Sequence, residues 1–223
     1  MKQLIVVSTQ MEVQIFTGKA GLSKSLSPGE AVRIRDDLSL LISGIGSPST
    51  IFHLTSALKE DTFDRIIQVG VAGSYNPVYG PGTLVEAGRD CFADLGIDDN
   101  GKFINVFDAG LADSDMAPFI KGLLVNPLTG ISGLPVVSGI TLNTTTGSSA
   151  LMEQWEKNYQ PDIESMEGAA AFYVCMKLGI PFIQVRSISN KVEPRDRDAW
   201  DLELAIHELN KWLVNFVNLE KQE

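Results

Sequence analysis

An α/β sandwich around a mostly parallel sheet is the fold class this sequence predicts, and three observations predict it. Short apolar runs alternate with segments whose apolar residues recur at steps of three and four. Polar and glycine punctuation mostly follows the apolar runs, as at the ligand-binding edge of an open α/β sheet. The chain has 223 residues, 44% of them hydrophobic and 21% charged. That is enough to build a real core, and residues 1–223 read as one domain without repeat, low-complexity tract or linker.

The elements follow in order. A strand is expected over Leu4–Ser8, with Glu12 four residues beyond it. Strands Val32–Arg35 and Leu38–Ser43 come next, the second running into Ser43-Gly44-Ile45-Gly46. Ser47-Pro48 reads as a cap with proline at the first helical position. Ile51, Leu54, Thr55 and Leu58 continue that helix. Strand Arg65–Val71 leads into Gly70-Val71-Ala72-Gly73, and the Gly- and Pro-rich stretch Gly73–Gly82 reads as a loop before strand Gly82–Gly88. Strand Leu134–Gly139 and helix Ser149–Lys157 precede a helix over Met166–Leu178, stopped by Gly179 and Pro181. Strand Phe182–Ser187 is followed by an amphipathic helix carrying Leu202, Ile206, Leu209, Leu213 and Phe216, expected to lie on the sheet.

Composition excludes several classes of function. With 28 acidic against 18 basic residues and a net charge of −10, no broad cationic surface is available for nucleic acid or for an anionic membrane. The opening Leu4–Val7 run is shorter than the ~7–15 apolar residues of a secretory signal. Lys177, Gly179 and Pro181 break the longest candidate for a ~20-residue membrane span. A cytoplasmic protein is the expectation. Cys91 and Cys175 have no metal or redox spacing, and Cys175 reads as a small buried thiol. His53 and His207 lie on expected helices without His or Cys partners nearby, which argues against a zinc site or a histidine-based triad.

Three constellations remain. Glu12 read alone is a solvated acid at a helix start. In Ser165-Met166-Glu167-Gly168-Ala169-Ala170-Ala171 the serine can cap a tightly packed helix. Glu167 there is placed to stay ionised at the helix N-terminus. In Arg186-Ser187-Ile188-Ser189-Asn190 the last residue falls at the carboxyl end of a strand. Its amide suits a heterocycle edge with a carbonyl and a ring N–H, or simply a turn. The glycine segments match neither the dinucleotide nor the phosphate-loop pattern.

Together, the strand leading to Glu12, Ser43-Gly44-Ile45-Gly46, Val71-Ala72-Gly73, Met166-Glu167 and Arg186-x-Ile188-Ser189 resemble the nucleosidase and nucleoside phosphorylase superfamily over nearly the whole chain. The pattern is similar to methylthioadenosine/S-adenosylhomocysteine nucleosidases, but Ser165 replaces a glutamate and Asn190 an aspartate. Ser-Met-Glu-Gly-Ala-Ala with Ile-Ser-Asn and Glu193-Pro194-Arg195 resembles the futalosine hydrolases of menaquinone biosynthesis.

The resemblance implies a three-layer α/β/α sandwich around a mixed, mostly parallel twisted sheet, nucleoside phosphorylase-like. It implies a small purine nucleoside as partner, no metal or cofactor, and a homo-oligomer, dimer or higher. Glu12 would be general base for water. Glu167 would bind ribose hydroxyls, Met166 would pack beneath the sugar, and Ala72-Gly73 would allow close backbone approach. Asn190 would accept from a protonated N7 and donate to a 6-oxo group, which fits the hypoxanthine of futalosine. Arg195 or Arg197 would meet the aromatic carboxylate of the substrate tail, under cover of Trp200, unless that loop is only salt-laced. Leu142 and Asn143 stand where the adenine enzymes stack an aromatic ring on the base. Water is preferred to phosphate as nucleophile because no arginine precedes Arg33 and Arg89 alone makes a thin phosphate site. An inosine or purine nucleosidase or phosphorylase, a methylthioadenosine/S-adenosylhomocysteine nucleosidase, and a non-catalytic binding module are the alternatives.

Overall fold

The computed structural model describes residues 1–194 and 199–219. Its strands are β1 Gln3–Val7, β2 Ala31–Arg35, β3 Leu38–Ile42, β4 Arg65–Ser74, β5 Leu84–Asp90, β6 Gly96–Asp99, β7 Lys102–Asn105, β8 Leu124–Val125, β9 Val136–Thr141, β10 Ile163–Ser165 and β11 Phe182–Lys191. Its helices are α1 Gln14–Lys19, α2 Ser47–Glu60, α3 Ser149–Tyr159, α4 Gly168–Leu178 and α5 Leu202–Phe216, and a 3-10 turn covers Gln10–Val13.

The sandwich is visible in a single strand. Successive side chains of β1 point to opposite faces. Leu4 and Val6 join one core with Leu54 of α2 and Ala169, Phe172 and Cys175 of α4. Ile5 and Val7 join another with Phe16 of α1 and Leu209 and Leu213 of α5. All five residues of β1 are buried, because a strand covered by helices on both faces has no solvent side. A third cluster gathers Tyr75, Cys91, Ile140, Leu142 and Trp155 beneath α3.

The main sheet runs β10-β9-β5-β11-β4-β1-β3-β2, with β8 attached to β5. It is mixed as expected. β1 is parallel to β3 and β4, and β4 to β11, whereas β5 is antiparallel to β11 and β2 to β3. One feature is not visible in the sequence pattern. β10 pairs parallel with β9 and also antiparallel with the end of β4, Ile163 opposite Ser74 and Glu164 opposite Gly73. This second pairing closes β4, β11, β5, β9 and β10 into a ring.

Several boundaries shift. Gly70–Gly73 lies inside β4 rather than after it, and Asn190 lies inside β11 rather than in a turn beyond it. Each strand borrows length from the other, since the β4–β11 pairing continues to Lys191 and Ser74. A bulge falls between Ile188 and Asn190. Gly46 (φ +83°), not Ser47, caps α2, and Glu167, not a residue before it, stands at the cap of α4. The β6–β7 hairpin, β8, β10, α1 and the 3-10 turn carry too few apolar residues to register as periodic segments.

The 3-10 turn is tied to the far helix by one buried amide. Asn210 of α5 accepts from Phe16 N (2.8 Å) and donates to the carbonyl of Glu12 (2.9 Å). Replacing it leaves two backbone groups without partners in a dry interface. Asn210→Ala is therefore expected to lower unfolding free energy by about 1–3 kcal/mol in urea titrations.

Candidate active site

The carboxyl ends of β1, β4, β10 and β11 converge on one cavity. Ser8, Glu12, Ala72, Gly73, Leu142, Thr146, Glu164, Met166, Glu167, Asn190 and Trp200 are among its lining residues. Of the residues expected from sequence, Glu12, Glu167, Asn190, Ala72, Gly73, Leu142, Met166 and Trp200 thus meet there. Asn143 does not. It is exposed, its Oδ1 accepts from Ser47 N (3.1 Å), and its own N donates to Asp94 (2.7 Å), so it braces the start of α2 outside the cavity. Arg195 and Arg197 lie outside the described residues.

Glu12 is a buried acid, 5% exposed, and not the solvated residue its position suggested. Four donors fix its carboxylate. Ser8 Oγ (2.5 Å), Thr9 N (3.0 Å) and Thr9 Oγ1 (2.9 Å) reach Oε2, and Val71 N (3.2 Å) reaches Oε1. A Cβ added to Gly70 would stand 3.1 Å from Glu12 Oε1 and would collide with Arg186 Nη1. The absence of a side chain at Gly70 is what lets the acid and the guanidinium meet over β4.

Glu167 faces the cavity from the start of α4. Its Oε1 accepts from Gly46 N (2.9 Å), and its Oε2 lies 3.9 Å from Arg186 Nη1. Two glutamines hold its backbone in place. Gln184 Nε2 donates to Gln68 Oε1 (2.7 Å), and Gln68 Nε2 donates to the carbonyl of Glu167 (3.2 Å). Opposing influences act on its carboxyl. Burial pushes its pKa up, with the charge of Glu12 adding to the rise, against the opposing pull of Arg186 and the Gly46 N–H.

Asn190 is oriented by the bulge. Its Oδ1 accepts from Ser189 Oγ (2.8 Å), and its Nδ2 donates to the carbonyl of Lys191 (2.9 Å). These two bonds fix which end of the amide is which, and each end keeps capacity for a ligand. Met11 (54% exposed) and Ile45 (61% exposed) mark the opposite, apolar mouth of the cavity, with Leu202 and Ile206.

Sequence reasoning missed three participants. Arg186 stands there only as the first residue of a motif, with no role given to it, yet it is 1% exposed and absent from the cavity lining, set behind the wall. Glu164 sits in a strand too short to read. Asp90 is fully enclosed beneath α4, its Oδ1 accepting from Cys91 N (2.8 Å) and Thr141 Oγ1 (2.9 Å). Arg89, by contrast, is exposed and does not line the cavity. His53 is bound locally through Nδ1 to the carbonyl of Ser43 (2.9 Å). The described residues hold no cluster suited to a metal ion, and both cysteines are free and buried.

The chain was compared with known proteins. A family model described as the phosphorylase superfamily matches residues 7–219. A futalosine hydrolase of Acidothermus cellulolyticus is 29% identical over 93% of this chain and 87% of that protein. A futalosine hydrolase of Streptomyces coelicolor is 31% identical over 75% of this chain and 73% of that protein. Among solved structures, a futalosine hydrolase mutant of Helicobacter pylori superposes with a TM-score of 0.80 at 18% identity, covering 98% of this chain and 99% of that one. At that identity the superposition speaks for the fold alone.

The enclosed acid gives a pH test. Burial raises the pKa of Asp90 from 3.8 to about 7, outweighing the Thr141 hydroxyl, Arg186 and the Cys91 N–H, all of which lower it. Its Oδ2 and Gln184 Oε1 are both acceptors without partners, and both crowd the space over Gly168. A proton on Asp90 turns one of them into a donor. A raised acid pKa means that the folded state holds the proton more tightly than the unfolded chain. Stability is then greatest at low pH, falls between about pH 4 and pH 7, and is level above. Urea titrations at pH 5 and pH 8 are expected to show the native chain losing about 2–3 kcal/mol between them. Asp90→Asn, which does not titrate, is expected to show a clearly smaller loss, with raised acids such as Glu167 supplying what remains.

Proposed function

Because the chain belongs to the phosphorylase superfamily, we propose that it is a hydrolytic member, an N-glycosyl hydrolase that cleaves futalosine to hypoxanthine and dehypoxanthine futalosine. The observation that carries this reading is the meeting of Glu12, Glu167 and Asn190 in one cavity. The similarity to two futalosine hydrolases along most of their length supports it.

Cleavage of an N-glycosidic bond passes through a cationic, oxocarbenium-like sugar. Glu12, immobilised by four donors, takes the proton of the attacking water. Glu167 accepts from ribose hydroxyls and sets negative charge beside the developing cation. Met166 lies under the sugar. Asn190 presents a donor to the 6-oxo group and an acceptor to the N7 proton as the base departs. Trp200 covers the apolar mouth, where the substrate tail lies.

Water rather than phosphate is the nucleophile. The cavity lining contains three glutamates, Glu12, Glu164 and Glu167, and no lysine or arginine among the described residues. Such a lining repels a phosphate dianion. The chain acts as a homo-oligomer, dimer or higher. An apolar recess lined by Pro48, Ile51, Phe92, Leu95 and Phe119 supports this, beside the exposed Phe52 on α2. No helix among the described residues is long and apolar enough to cross a membrane, in keeping with a cytoplasmic enzyme.

Incubation with futalosine, inosine and methylthioadenosine, with and without phosphate, tests the reading. Hypoxanthine release from futalosine at a phosphate-independent rate is expected. Adenine release from methylthioadenosine with futalosine untouched would overturn it. Glu12→Gln is expected to lower kcat by about 10²–10⁴-fold, the usual contribution of a positioned base.

A further inference from the structure

Glu164 is the one cavity-lining acid to which the proposed hydrolysis gives no task. It is 8% exposed, and no cation pairs with it among the described residues' ion pairs. Instead its two oxygens each take a neutral donor. Oε1 accepts from Thr146 N (3.0 Å), and Oε2 accepts from the Tyr75 hydroxyl (2.8 Å). Burial, reinforced by the charge of Glu164, raises the Tyr75 pKa, so the phenol stays protonated and donates. Two donors on two oxygens require an acceptor at both positions. A carboxylate satisfies that, and a glutamine with its single oxygen does not. Each oxygen keeps a further lone pair, and the residue faces the cavity.

Its neighbour across the sheet is Asn190. A Cβ added to Gly73 would stand 2.9 Å from Val192 Cγ2, 3.2 Å from Asn190 Nδ2 and 3.5 Å from Glu164 Cγ, so Asn190 and Glu164 converge on one stretch of β4 with Val192 packed against it, and both line the cavity. A purine lying in the cavity against Asn190 shows that amide its N7 and its 6-substituent. The next atom along the same edge is N1. In a 6-oxopurine N1 carries a hydrogen and donates, whereas in a 6-aminopurine N1 is a bare acceptor. We propose that Glu164 is a specificity-determining residue that accepts the N1–H of a 6-oxopurine and repels the lone pair of a 6-aminopurine at the same place. The assignment rests on the reading of the cavity as a purine nucleoside site. Within it, the base is held by a fixed amide on one side and an acceptor-only carboxylate on the other. A buried acceptor left facing another acceptor loses its partner in a dry site, the situation that produces discrimination of about 10⁴-fold or more.

The test separates base recognition from turnover. Binding of free hypoxanthine and adenine is measured by calorimetry on the unmodified protein and on Glu164→Gln, and futalosine turnover is followed alongside. The unmodified protein is expected to prefer hypoxanthine by at least about 100-fold. Glu164→Gln, whose Nε2 can donate to adenine N1, is expected to narrow that ratio by at least about tenfold. An unchanged ratio, with both bases weakened alike or neither weakened, would mean that Glu164 only braces Tyr75 and Thr146, and would overturn the proposal. Should the variant not fold, the unmodified protein decides with hypoxanthine labelled with ¹⁵N at N1. A downfield N1–H signal protected from solvent exchange is expected, and exchange as fast as in the free base overturns the proposal. Failure to turn over futalosine, with the base preference intact, would sink the hydrolase reading and leave Glu164 as assigned.

Discussion

One guanidinium, that of Arg186, sets the terms on which acidic residues are buried at this site. It is among the largest fully buried side chains of the protein. Taking such a charge out of water costs several kcal/mol unless opposite charge lies close. Glu167 stands 3.9 Å away, and Glu12 approaches the same space over Gly70. Asp90 feels it through the same region. The pairing is loose, and Arg186 Nε and Nη2 find no hydrogen-bond partner among the described residues. Arg186 therefore works chiefly as a fixed field. Without it, burial and the charge of Glu12 would push Glu167 toward protonation unopposed by any cation.

The sheet supplies the geometry for that field. β4 and β11 run parallel through their whole length, and β11 carries Arg186 beside Gly70 of β4. Glycines at 70 and 73 remove the side chains that would otherwise fill the space above β4. The bulge after Ile188 then breaks strict alternation, so Asn190 need not follow Ile188 into the core. Closure of the ring by β10 brings Glu164 opposite Gly73. Arg186 and Glu12 converge at the Gly70 level, and Asn190 and Glu164, the proposed base readers, at the Gly73 level, three residues apart on one strand.

Much of this was legible in the sequence, and the parts that were not share a cause. The apolar run Leu4, Ile5, Val6, Val7 announced a strand, and the steps through Leu209 and Leu213 announced α5. Those signals are local and periodic. Glu12 read as solvated because a short 3-10 turn has no apolar stripe to reveal that it folds back against α5 through Asn210. Asn143 read as a site residue because it is next to Leu142, yet the chain leaves the cavity between the two. Glu164 was invisible because β10 is three residues long and gains its place only by pairing with two strands distant in sequence. The bulge at Ser189 inserts one residue without any change in composition. Site residues set by non-local pairing or by a single inserted residue leave no periodic trace.

The departures of Ser165 and Asn190 from the adenine-nucleosidase pattern acquire a common physical sense in this frame. Ser165 Oγ accepts from Gly168 N (3.2 Å), and Thr141 Oγ1 accepts from Ala169 N (2.7 Å), so neutral hydroxyls satisfy the first amides of α4. A glutamate at 165 would add another carboxylate to a cavity already lined by Glu12, Glu164 and Glu167. An aspartate at 190 would add one more across Gly73 from Glu164, and one of that pair would have to hold a proton. With serine and asparagine instead, the acidic charge divides into two tasks. At the reacting centre two carboxyl groups, Glu12 and Glu167, stand against the single guanidinium of Arg186, one acid more than cation. On the proposed chemistry the oxocarbenium-like sugar supplies the positive charge that balances it, so the field favours the transition state over a neutral nucleoside.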